Sequence, residues 1–133
     1  MKYYSDGFMY QSNPSPIGGG FTVTDEIGNL IHREVIKKEG LTNNEAEVRG
    51  ILQAMEIAEH KDSVSTDSMC CLTWARKGSA KPRPDLYEVL QRCKFLLNDK
   101  ELNLMWEARE FNLAGIMNES NQLTRKKFKQ YEY

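Results

Sequence analysis

The chain lacks the cysteine arrangement that holds small secreted or metal-stapled proteins together. Cys70, Cys71 and Cys93 are the only three. They are odd in number, form no C-x-x-C pair and have no histidine beside them in sequence, so neither a disulfide framework nor a structural zinc site is indicated. Reduced thiols in or near the core are expected instead. No apolar run approaches the roughly 20 residues a membrane-crossing helix needs, and the start, Met1-Lys2-Tyr3-Tyr4-Ser5-Asp6, carries no apolar signal segment. A cytoplasmic location with no membrane partner is therefore expected. Excess positive charge is missing too: the formal net charge is -1, which argues against nucleic-acid binding driven by the field of the whole molecule. Arg76, Lys77, Lys81 and Arg83 form one local basic cluster, and Arg125, Lys126, Lys127 and Lys129 another. Either reads equally well as a solvated segment.

What is present is ordinary globular material. Residues 1–133 suffice for one domain, with 40% hydrophobic and 28% charged residues, and a monomer is expected. Lys2 to Tyr10 reads as a strand ending in the turn-forming Gln11-Ser12-Asn13-Pro14-Ser15-Pro16. Gly18 to Thr24 and Leu30 to Lys38 follow as strands joined at Asp25-Glu26-Ile27-Gly28-Asn29, which makes an antiparallel meander. Thr42, three residues before Glu45, has the form of a capping box. Val48, Ile51, Leu52, Met55 and Ala58 then follow at helical spacing to about Glu59. A short strand from Ser63 to Thr66 implies a crossover parallel to a strand already laid down. A second helix begins near Ser68, and a third, capped by Asp85, runs to about Leu97. Leu102 to Arg109 alternates as a strand, and Leu113 to Lys127 is the last helix. The order βββαβααβα predicts an α/β fold.

Three carboxylates fall where carboxylates are unfavourable. Asp6 lies inside the first strand on the face of Tyr4 and Phe8. Glu47 precedes Ile51 and Met55 by four and eight residues, on or beside the inward stripe of its helix. Asp67 follows the fourth strand at its carboxyl end, where α/β folds place ligand-binding groups. Singly, each has a plain alternative: an edge ion pair for Asp6, a first-turn helix acid for Glu47, an N-cap for Asp67. Should the crossover lay the fourth strand beside the first, the three meet, and three clustered anions call for a hard divalent cation such as Mg²⁺.

Tyr4-Ser5-Asp6-Gly7, Thr42-Asn43-Asn44-Glu45-Ala46-Glu47 and Ser65-Thr66-Asp67-Ser68, in that order, resemble the three main blocks of the type 1 ribonuclease H family. The resemblance spans nearly the whole chain. It implies a ribonuclease H-like fold: a five-stranded mixed sheet of three antiparallel strands, then two parallel to the first, with helices on both faces. The implied activity is two-metal endonucleolytic cleavage of the RNA strand of an RNA–DNA hybrid, with two Mg²⁺ or Mn²⁺ ions per site. Asp6, Glu47 and Asp67 would be the central ligands and Asp6 the bridge. Asn43, Asn44, Ser68 and the backbone near Gly7 would approach the hybrid and its 2′-hydroxyls, although Asn43 and Asn44 could equally serve to end the strand and start the helix. The family usually supplies a fourth acid, an Asp near the start of the last helix. Here Trp106-Glu107-Ala108-Arg109-Glu110-Phe111-Asn112 matches the approach, but Gly115, Asn121 or Gln122 stands in its place. Glu119 is the acid best able to substitute, as a fourth metal ligand and catalytic residue; otherwise it is a surface acid and Asn118 or Glu110 assists. His32 and His60 lie outside that loop. The alternative function is a catalytically weakened domain of the same fold that binds nucleic acid or a protein partner.

Overall fold

The computed structural model describes residues 1–121. Its central strand is Lys2–Met9 (β1), in which every residue from Tyr3 to Phe8 is buried, as a strand covered on both faces requires. One edge of β1 pairs antiparallel with Gly19–Asp25 (β2), which pairs antiparallel with Leu30–Ile36 (β3). Along the other edge, Ser63–Thr66 (β4) runs parallel to β1 and Asn103–Trp106 (β5) parallel to β4. The order β3-β2-β1-β4-β5 is the mixed sheet expected from the sequence.

The helix Asn43–Ile57 (α1) makes the crossover from β3 to β4, and Met69–Lys77 (α2) and Tyr87–Asp99 (α3) lie between β4 and β5. Residues 113–121 are helical (α4); the rest of the predicted last helix, Gln122 and the basic cluster Arg125, Lys126, Lys127 and Lys129 lie outside the described residues. Alternation along β1 divides the helices between two faces. Gly7 and Ser5 face α1, since a Cβ at Gly7 would meet Ala46 and Glu47, and Gly50 packs towards Phe21 and Ser5. Asp6 faces the other way, towards α4. On the α1 side Tyr3, Phe21, Val23, Val48, Ile51, Met55, Val64, Leu72, Leu90 and Leu104 form a continuous apolar core, the main driving force for the fold.

Local signals act mostly as anticipated. Thr42 is the N-cap of α1 and its side chain accepts a hydrogen bond from the Glu45 backbone. The capping box is not reciprocal, because the buried Glu45 carboxylate is held by Lys38 at 2.8 Å and Arg49 at 3.0 Å. Asp85 does not cap α3. Its carboxylate is taken by one edge of the Arg83 guanidinium, Nε at 3.0 Å and Nη2 at 2.8 Å, and a 3₁₀ turn, Pro84–Leu86, leads into the helix without a side-chain cap. β5 stops at Trp106, short of the expected Arg109, because β4 ends at Thr66 and leaves no further partner. Cys71 and Cys93 are buried as expected, whereas Cys70 is exposed.

Candidate metal centre

Pairing of the parallel strands β1 and β4 runs from Lys2↔Ser63 to Tyr4↔Ser65 and stops. Asp6, inside β1, and Asp67, just past the carboxyl end of β4, each lie two residues beyond that last pair. Glu47 arrives from α1 through a close approach. A Cβ at Gly7 would stand 2.8 Å from the Glu47 amide nitrogen and 3.0 Å from the Ala46 carbonyl carbon, so only glycine lets α1 lie this near β1. The Gly7 backbone N–H donates to Glu47 Oε1 at 2.9 Å and fixes the carboxylate. One carboxylate oxygen from each of Asp6, Glu47 and Asp67 lies within 4.8 Å of the others.

Two asparagines hold this cluster from α4 and the turn before it. Asn118, itself buried, donates to Asp6 Oδ2 at 2.9 Å and accepts from the Thr22 hydroxyl at 2.7 Å. Thr22 pairs with Asp6 across β1 and β2, so strand register and helix agree on one orientation of the Asp6 side chain. Asn112, fully buried, donates to Asp67 Oδ2 at 3.1 Å and to the Ser5 carbonyl at 3.0 Å, while its own oxygen accepts from the first-turn amides of Ala114 and Gly115. These contacts leave Asp6 Oδ1 and Glu47 Oε2 buried without a hydrogen-bond donor.

Such crowding is costly for anions. Burial pushes the Asp6 carboxyl up to about 6, with the Asp67 charge adding to it and the Asn118 N–H opposing it. Glu47 is held well above the usual carboxylate range, first by burial and then by the charge on Asp6, against the Gly7 hydrogen bond. Two orphaned oxygens converging with a third carboxylate form an all-oxygen, anionic donor set. That set suits a hard divalent cation such as Mg²⁺ or Mn²⁺ rather than a soft metal.

Arg109, in the 3₁₀ turn Arg109–Phe111, completes the cluster's surroundings. Its Nη1 is 3.4 Å from Asp67 Oδ2 and 3.6 Å from Asp6 Oδ1, and its Nε donates to Glu119 Oε1 at 3.0 Å. Glu119 is therefore beside the guanidinium rather than in the carboxylate cluster, with its side chain 54% exposed. Asn43 and Asn44 stand half-buried in the first turn of α1. Asn43 N–H donates to Asn13 Oδ1 at 2.9 Å, and Asn44 accepts from the Cys71 thiol. Ser68 caps α2, its hydroxyl accepting from the Cys71 amide. His32 stacks on Phe21 and His60 pairs with Glu101, both away from the cluster. Arg109 and Asn112 received no individual role from the sequence. Their only signal there was membership of the segment leading to the last helix.

No family model matches the chain, and no curated protein matches it. Solved structures do. The N-terminal RNase H domain of Rv2228c from Mycobacterium tuberculosis is 23% identical, with 86% of this chain and 92% of that one covered at a TM-score of 0.62. RNase H1 from Halobacterium salinarum NRC-1 is 21% identical, covering 85% and 89%, also at 0.62. LC11-RNase H1, solved in complex with an RNA/DNA hybrid, is 25% identical, covering 84% and 87% at 0.60. The chain has a type 1 ribonuclease H-like fold.

Proposed function

We propose that this chain is a divalent-metal-dependent endoribonuclease that hydrolyses the RNA strand of RNA–DNA hybrids. The observation that carries the reading is the cluster of Asp6, Glu47 and Asp67, with two buried oxygens lacking any hydrogen-bond donor, where the pairing of β1 with β4 has ended, in a fold shared with ribonucleases H. Asp6, Glu47 and Asp67 would hold the metal. When bound, a divalent ion there supplies activation of water and neutralisation of charge on the scissile phosphate. Asn118 and Asn112 keep Asp6 and Asp67 oriented, so little reorganisation is needed on binding. The Gly7 backbone does the same for Glu47.

The half-buried Asn43 and Asn44, in the first turn of α1 ahead of Glu47, and Ser68, next to Asp67, would meet the RNA backbone and its 2′-hydroxyls. Positive charge for the hybrid is modest among the described residues. Arg83 turns inward to Asp85, Thr42 and Glu45, and Arg76 donates to the Leu104 carbonyl. Lys77 and Lys81, which line an open groove with Tyr87, are left for phosphate contacts.

Incubation with a labelled RNA–DNA hybrid and Mg²⁺ or Mn²⁺ is expected to give internal RNA cuts, with duplex DNA left intact. Asp6→Asn and Asp67→Asn should each abolish cleavage; full activity in both would refute the assignment. The weakened, binding-only reading is favoured by one observation, a glycine rather than an acid at position 115 facing Asp6. Hybrid binding without metal-dependent cuts would support it.

A further inference from the structure

Asp6 is held from one side by α4. Its Oδ2 accepts from the Asn118 amide N–H at 2.9 Å, which orients the carboxylate and leaves that oxygen a further lone pair. The reverse orientation of the Asn118 amide would set oxygen against oxygen, so the hydrogen-bond network selects this one. On the same side of Asp6, Gly115 brings α4 to 3.5 Å from Asp6 Cγ, measured from where its Cβ would be. No side-chain oxygen comes from that position. A second ion bridged through Asp6 would thus find no acid behind it at that position.

A cation already stands at that edge of the cluster. Arg109 Nη1 lies 3.6 Å from Asp6 Oδ1 and 3.4 Å from Asp67 Oδ2, and its other edge is fixed by Glu119 at 3.0 Å. Charge balance points the same way. Three carboxylates, two of them buried, are neutralised by one guanidinium and one divalent ion. Glu119, half in water, is screened and weighs little in that balance.

Resting on the metal-dependent reading above, we propose that Arg109 is the second cation of this site. Asp6, Glu47 and Asp67 hold a single divalent ion, and the guanidinium, positioned by Glu119, supplies the other positive charge towards the phosphate. Its five fixed donors suit phosphate oxygens. Glu119 is accordingly a positioning residue for Arg109 rather than a ligand.

Mn²⁺ titration of the full chain, read by electron paramagnetic resonance of the free ion, is expected to give one tightly bound ion. Arg109→Ala removes a like charge beside it and should tighten Mn²⁺ binding about tenfold, while slowing hybrid cleavage about a hundredfold. A residue with a merely structural role would weaken both together. Arg109→Lys should recover part of the cleavage. Gly115→Asp, whose Cβ has ordinary contact room, should raise the count from one ion to two. Two tightly bound ions in the wild type, falling to one in Glu119→Gln, would overturn the proposal. Wild-type cleavage by Arg109→Ala would overturn it equally. If the wild type cuts no hybrid, the proposed function fails, yet the Mn²⁺ count and the Arg109→Ala affinity still decide between one ion and two.

Discussion

Replacing Asp6 with Asn should stabilise the protein in the absence of metal while removing a ligand of the proposed metal site. Asp6 is 1% exposed, and its carboxyl is raised from 3.8 to about 6, first by burial and then by Asp67. The folded state therefore holds the Asp6 proton more tightly than the unfolded chain does. That contribution to stability is complete below about pH 4 and is lost as pH rises through about 6. The shift of roughly two pH units, at about 1.4 kcal/mol each, gives a penalty of about 3 kcal/mol near neutrality. An Asn at this position keeps an oxygen for the Asn118 N–H and carries no charge. Urea unfolding in EDTA at about pH 7.5 should show the variant more stable by about 2–3 kcal/mol, and the gap should close towards pH 4. Mg²⁺ at a hundred times its dissociation constant should add about 2.7 kcal/mol to the wild type and little to the variant. A variant less stable than wild type in EDTA at neutral pH would refute the account of Asp6 as a destabilising, metal-seeking anion.

Other substitutions probe how the cluster is built. Gly7→Ala would set a Cβ 2.8 Å from the Glu47 amide nitrogen; the forced retreat of α1 should cost about 2 kcal/mol and weaken Mn²⁺ binding, both measurable by unfolding and titration. Glu45 responds to pH in the opposite sense to Asp6. Burial works to raise its carboxyl, but Lys38 and Arg49 overcome it and hold the carboxyl below its usual value, so its contribution is present above about pH 4.5 and lost on acidification. Glu45→Gln should cost about 1–2 kcal/mol at neutral pH, less than for a fully buried pair because its cationic partners reach water. Equal stability of Glu45→Gln and wild type at pH 7 would contradict that assignment. Asn118→Ala should leave Asp6 without its clamp and lower the hybrid cleavage rate about tenfold or more, with hybrid binding in Ca²⁺ little changed.

Much of this protein was determined by its sequence alone, through interactions that are local along the chain. Alternation marked β1 and the face of Asp6 within it. Helical spacing placed Glu47 in line with the buried Ile51 and Met55, and Thr42 marked the start of α1. A strand following a helix implied the parallel crossover that brings Asp67 beside Asp6. These features depend on period, capping chemistry and chain connectivity, all of which can be read residue by residue. Tertiary structure alone decided how the remaining groups were used. Asp85 had the composition of a helix cap, but Arg83 two residues away offered a charged partner. Glu45 had the spacing of a reciprocal capping box, yet Lys38 and Arg49 compensate its burial more fully than one backbone N–H would. Glu119 and Asn118 are neighbours on α4, and only the packing of that helix against β1 and β2 turns the Asn inward to Asp6 and the Glu outward to Arg109. Such choices depend on which donor or cation arrives from elsewhere in the chain, and that is settled only when the sheet and its helices have come together.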